Sequence, residues 1–139
     1  MRVFSGSALR LAAMGGVCAL ALGFSASPAA AGNHSSLTFG YSAGCNGASD
    51  TGSQGRFLHD GDRFFVGDVC RDGHSAVLLG TVRGDSAPEV VVWASEGVGD
   101  ESVESYNVAE GTTVRVRACI GDFADEIYWG CGSWEQGVA

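Results

Sequence analysis

The chain runs to 139 residues and carries 8 arginines, no lysine, and 16 aspartates and glutamates, for a net charge of −8 with neutral histidines. That length suits one domain and is too short for two of ordinary size. The acidic balance repels nucleic acid and anionic lipid headgroups, which bind cationic surfaces, so neither is expected as a partner.

Residues 1–31 have the layout of an export signal. Arg2 and Arg10 give a positive start, residues 11–24 an apolar run, and Ala29, Ala30 and Ala31 after Pro28 a small-residue cleavage site. The run of 14 residues falls short of the roughly 20 that a bilayer requires. Cys18 lies inside that run, behind Gly15, Gly16 and Val17 rather than a lipobox. A cleaved signal is therefore expected, followed by a secreted, extracellular protein of residues 32–139 with 6 arginines against 16 carboxylates. Cleavage discards Cys18 and leaves Cys45, Cys70, Cys119 and Cys131, an even set that an oxidising compartment converts to two disulfides.

Leu37, Phe39 and Tyr41 alternate with Ser36, Thr38 and Gly40, the pattern of a half-buried strand with one apolar and one small or polar face. The Gly/Ser/Asn-rich stretch 43–55 reads as a loop tied down by Cys45, and residues 56–59 as a short strand ending in the turn His59-Asp60-Gly61-Asp62. Runs 63–70 and 75–83 flank Arg71-Asp72-Gly73-His74, and an Asp-Gly pair between apolar runs predicts a hairpin turning at Asp72-Gly73. Residues 77–79 and 90–93 are almost continuously apolar, which suits central strands covered on both faces. Between them lies the loop 84–88, with Pro88 placed where a strand tolerates it, at the first residue.

Residues 96–104, with Glu96, Asp100, Glu101 and Glu104, read as an acidic loop. Over 112–120, Val114, Val116, Ala118 and Ile120 point one way and Arg115, Arg117 and Cys119 the other. Residues 121–125 turn the chain, 126–129 return as a strand, and the tail 130–139 is held by Cys131 and Trp134. About seven short strands without helical periodicity predict an all-β fold, a single antiparallel β-sandwich or small barrel with two disulfides.

Four cysteines permit three pairings, and local loop closure favours Cys45 with Cys70 and Cys119 with Cys131. If residues 120 and 126 pair, Cys119 faces Ile127, so the second bridge requires a bulge or a bent tail.

The chemistry-bearing residues are few. Gly40-Tyr41-Ser42-Ala43-Gly44 matches G-x-S-x-G, but a nucleophile elbow needs a strand feeding a helix, and here a strand enters a glycine-rich loop. His34, His59 and His74 lack metal-ligand spacing; His59 beside Asp60 is the one pair worth testing. Asp60, Asp62, Asp68 and Asp72 suggest a calcium loop until Phe64, which occupies a position that requires an oxygen ligand. Solvated loops account for this cluster and for 96–104 more simply, and no metal or cofactor is expected.

Arg115 and Arg117, on one strand face, suit an anionic ligand that guanidinium groups grip in bidentate fashion. Cross-strand pairing with acidic neighbours is the simpler expectation. Trp93, Trp129, Trp134 and Tyr128 make a carbohydrate platform only if they stand side by side outside the core, and the alternation in Tyr128-Trp129 sends the two rings to opposite faces.

The segment 110–122 (EGTTVRVRACIGD), followed by Cys131-Gly132-Ser133-Trp134, and the stretch 72–77 (DGHSAV) resemble small secreted β-rich actinomycete proteins of unassigned function. The resemblance covers about the last two thirds of the chain and implies a shared scaffold; no catalytic residue carries over. The cysteine spacing differs from that of enediyne-carrier proteins, subtilisin inhibitors and amylase inhibitors, which are analogues in size, secretion and β-architecture only.

No nucleophile, base and orienter stand together. The leading expectation is a non-enzymatic extracellular module that binds a protein or glycan. The alternatives are an inhibitor of a secreted hydrolase, presenting 43–55 or 96–104 as its loop, and a small carbohydrate-binding protein or hydrolase.

Overall fold

The computed structural model describes residues 35–45, 50–82 and 87–139. The expected signal segment 1–31, His34 and residues 84–86 of the predicted loop lie outside them.

Nine strands and no helix occur among the described residues: β1 (Ser36–Tyr41), β2 (Thr51–Leu58), β3 (Arg63–Asp68), β4 (Ser75–Thr81), β5 (Val90–Ala94), β6 (Glu101–Ser105), β7 (Thr113–Asp122), β8 (Ile127–Trp129) and β9 (Glu135–Val138). They form two packed antiparallel sheets, ordered β1-β2-β3-β6 and β5-β4-β7-β8. β7 is long enough to pair along one side with both β8, near its C-terminal end, and β9, near its N-terminal end.

The core lies between the sheets. Phe57, Phe64 and Val66 from one sheet meet Leu78, Val116 and Ala118 from the other, all fully buried, and the rings of Phe57 and Phe64 stand 5.2 Å apart. β7 follows its sequence pattern: Val114, Val116, Ala118 and Ile120 are buried, while Arg115 and Arg117 on the opposite face are half-buried.

β1 alternates as expected, but its faces are reversed. Leu37, Phe39 and Tyr41 are exposed, and Thr38 and Gly40 point inward. The reason is proximity to β7. A Cβ on Gly40 would stand 2.8 Å from the Cys119 Cα, and one on Gly55 in β2 would overlap a Leu78 methyl. The sheets approach too closely here for large side chains, so glycine and threonine face the core. The Thr38 hydroxyl uses the close approach, accepting the Ala118 N–H at 3.3 Å and donating to the Ser133 carbonyl at 3.1 Å.

Four other local expectations change. Gly73 does turn the chain, in a left-handed conformation with φ of 81°, but β3 and β4 belong to different sheets and make no hairpin. Both runs are buried along nearly their whole length, so neither has a polar face to bias it towards its sequence neighbour, and each finds longer-range partners. The loop 43–55 gives way to β2 at Thr51, because backbone pairing with β1 and β3 satisfies a segment whose glycines and serines supply little apolar signal. The acidic stretch 96–104 is loop only to Asp100. From Glu101 it is β6, pairing with Arg63–Gly67 of β3 as an edge strand whose charges guard against strand addition. Lastly, β5 is an edge strand covered on one face, with Val91 exposed.

The disulfides are Cys45–Cys70 and Cys119–Cys131, 25 and 12 residues apart, each contributing roughly 3 kcal/mol by loop closure. The second needs a bent tail and has one. Because β7 runs on to Asp122, Ile120 pairs with Trp129 rather than with Glu126, and Cys119 does not face Ile127; Gly130 then turns out of the strand with φ of 58°, and Cys131 comes beside Cys119 with their Cα atoms 4.0 Å apart. No helix among the described residues is long and apolar enough to cross a membrane. Two disulfides are compatible with an extracellular or otherwise oxidising environment.

Candidate functional site

The outward face of the five-stranded sheet gathers most of the aromatic and cationic residues singled out from the sequence. Residues paired across a sheet share a face, so the register assigns them. Gly121 of β7 lies opposite Tyr128; Cys119 lies in line with Val77 and Trp93; Arg117 lies in line with Leu79 and Val91; Arg115 lies opposite Thr81 and Gln136. Val77 and Leu79 have no exposed surface although they point away from the core, because Trp93, Cys131 and Trp134 pack over them. The tail beyond Gly130 thus carries Trp134 onto this face, and the Cys119–Cys131 bridge fastens it there.

Two subsites share the face. In the first, Val91, Trp93, Glu126 and Tyr128 line a hollow of about 380 Å³, within the range of small-ligand sites. Trp93 is braced on one side by Phe123, edge to face at 5.7 Å, and on the other by Gly121, where a Cβ would come within 2.9 Å of the indole. Glu126 has φ of 53°, a left-handed conformation that turns reserve for glycine or asparagine. In the second subsite, the guanidinium groups of Arg115 and Arg117 rest on the Trp134 ring, 5.3 and 4.7 Å from its centre. Cation–π attraction of this kind is worth about 0.5–2 kcal/mol depending on desolvation. The Nε atoms of both arginines are buried without a hydrogen-bond partner. The expected cross-strand carboxylates do not stand opposite them; their sheet neighbours are Leu79, Thr81 and Gln136.

Trp129 is not part of this face. Strand alternation turns it away from Tyr128, and its ring stands edge-on to His74 at 5.0 Å. Of the aromatics proposed from the sequence, Trp93, Tyr128 and Trp134 come together and Trp129 does not. Val91, Phe123 and Glu126 join them without having been singled out. Phe123 carried a legible signal, since a large apolar side chain among Gly, Asp and Ala in a turn has no core to enter.

Two other hollows contrast with this face. One of about 500 Å³ beside Tyr106 and Val108 has no charged side chain in its lining, and the Tyr106 hydroxyl already donates to Glu104 at 3.3 Å. Burial, with the Glu104 charge and hydrogen bond, raises the Tyr106 pKa. The other, of about 240 Å³, adjoins Asp68, His74 and Glu96. Asp68 is 3% exposed. One of its carboxylate oxygens accepts the Cys70 N–H at 3.0 Å and the other has no partner. Burial is the main reason that its pKa is raised; the Cys70 hydrogen bond opposes this and the charges of Asp72 and Asp100 add to it.

Nearby, Asp72 converges with Cys45 and Cys70 in a metal-like cluster, but both sulfurs are spent in the disulfide, so no thiolate remains to ligate. Ser42 of the G-x-S-x-G match is buried, and its oxygen accepts the Gly44 N–H at 3.4 Å within its own turn. His59 is exposed, its ring bonded to the Ser35 hydroxyl at 3.2 Å.

The chain matches no protein-family model, no curated protein and no solved structure.

Proposed function

We propose that this chain is a non-catalytic extracellular module that binds saccharide on the outward face of the five-stranded sheet. The observation that carries the reading is the pair Trp93 and Tyr128 lining a hollow with a single carboxylate, Glu126, while Trp134 lies on the same face beside it. Partly exposed aromatic rings offer an apolar, π-rich surface to the C–H face of a sugar ring. A carboxylate in the same hollow accepts hydrogen bonds from hydroxyls, as sugar recognition requires. Strained backbone at Glu126 fits a residue kept for its side chain. The alternative of a loop-presenting hydrolase inhibitor draws less support, because β2 and β6 shorten both candidate loops.

The test is retention on immobilised plant and microbial polysaccharides, comparing wild type with Trp93→Ala, Tyr128→Ala and Trp129→Ala. The first two should weaken binding at least tenfold, as loss of a stacking anchor does. Trp129→Ala, on the opposite face, should leave it unchanged. Equal losses from Trp129→Ala and Trp93→Ala, or no retention on any saccharide, would remove the proposal.

A further inference from the structure

Resting on that reading, we infer that the ligand is a largely neutral saccharide bearing an isolated carboxylate, with the sugar ring in the Trp93–Tyr128 hollow and the carboxylate at Arg115 and Arg117. Three observations converge on it. The two arginines stand two residues apart on β7, half-buried, with their guanidinium carbons 5.3 and 4.7 Å from the centre of the Trp134 ring. A guanidinium drawn to an aromatic ring still carries N–H groups suited to a bidentate grip on a carboxylate. Both Nε atoms are buried and unpartnered, so neither guanidinium holds a protein carboxylate along its Nε edge, and a ligand would be gripped through the terminal N–H groups. Arg117 and Val91 lie two strands apart in one cross-strand row, roughly 10 Å at the usual strand spacing, so one oligosaccharide can reach both subsites.

The overall charge sets the ligand's charge density. A protein of net charge −8 repels a polyanion along its length, but salt screens charges beyond about 8 Å at physiological ionic strength. A lone carboxylate seated on two arginines feels mainly those arginines, whereas a polyuronate would place further charges over the acidic remainder of the surface. The class that fits is therefore a neutral backbone with occasional uronate branches.

Titration calorimetry on the full mature protein tests this with three probes: a neutral xylo-oligosaccharide, the same oligosaccharide carrying one glucuronate branch, and its methyl ester. The branched acid should bind about tenfold or more tighter than the other two, the scale of a charge-assisted hydrogen-bond pair, and its advantage should shrink at high salt. Arg115→Gln with Arg117→Gln should reduce the preference for the acid over its methyl ester to less than about twofold. If the glutamine pair does not fold, the wild-type preference and its salt dependence still decide the matter. Equal binding of acid and ester would overturn the carboxylate and leave the saccharide reading standing. No binding of any probe or polysaccharide would bring down both, and tighter binding of a singly sulfated xylo-oligosaccharide would overturn the carboxylate in favour of sulfate.

Discussion

Tyr41 and Gly130 close one edge of the sandwich: the Tyr41 N–H donates to the Gly130 carbonyl over 2.6 Å. The two backbones meet so tightly that a Cβ on Gly130 would overlap the Tyr41 carbonyl oxygen. Beyond this contact the Gly132 N–H donates to the Ala118 carbonyl at 2.9 Å and Thr38 donates to Ser133, so the tail is stitched to β1 and β7 together. The same strap delivers Trp134 to the outward face of the five-stranded sheet.

Gly130→Ala should therefore cost more than its backbone conformation alone. Left-handed strain amounts to about 1 kcal/mol, and overpacking adds about 1–3 kcal/mol. Gly111→Ala is the control, because Gly111 is also left-handed, with φ of 77°, but has nothing within 4 Å of an added Cβ. Urea denaturation should show a loss of about 1 kcal/mol for Gly111→Ala and at least twice that for Gly130→Ala. Equal losses would mean that the close approach to Tyr41 has no energetic weight.

The reversed faces of β1 predict a reversed mutational pattern. Thr38→Val keeps the shape but strips the hydroxyl from the Ala118 N–H and the Ser133 carbonyl, leaving buried groups unpaired at about 1–3 kcal/mol. Leu37→Ser, at a residue 48% exposed, should stay within about 0.5 kcal/mol. Thermal unfolding of both variants checks the order, and a larger loss for Leu37→Ser would contradict the strand's orientation.

Glu126→Gly should separate stability from binding. Glycine adopts the left-handed conformation without a Cβ penalty, so the variant should gain up to about 1 kcal/mol of folding free energy. On the proposed function it should also lose saccharide affinity, since the carboxylate leaves the hollow. Denaturation and calorimetry on the same preparation read both effects; a stabilised protein with undiminished affinity would show that the strain serves no ligand.

Asp68 makes stability depend on pH. Its pKa is raised by burial above the ordinary 3.8, so between the unfolded and native values the folded state holds a proton that the unfolded chain has released. Stability from this residue is fully present below the unfolded value and is lost as pH rises through the native one. Asp68→Asn keeps an oxygen for the Cys70 N–H and removes the charge. Urea midpoints measured from pH 3 to pH 7 should fall less steeply for the variant than for the wild type. Parallel curves would show that Asp68 does not titrate as described.

Much of the scaffold was legible in the residues themselves. Period-two alternation marked β7 and put Val114, Val116, Ala118 and Ile120 on one face, the face that is buried. The spacing of Cys119 and Cys131 across one turn pointed to their bridge, although the register supposed for that turn, 120 with 126, is replaced by Ile120 with Trp129. These are local facts, set by chain geometry over a few residues. What the chain alone left open was decided at long range. Alternation gave Leu37 and Thr38 opposite faces but not which one was inside; that depended on Gly40, Gly55 and β7 drawing the sheets together. An Asp-Gly turn between apolar runs read the same whether β3 and β4 paired or parted, because strands buried along their length carry no mark of their partner. The candidate site belongs wholly to this second class. Trp93, Tyr128 and Trp134 come from an edge strand, a hairpin return and a strapped tail, and they share a face only because β4 and β7 bring those strands into one sheet while a disulfide pins the tail across it.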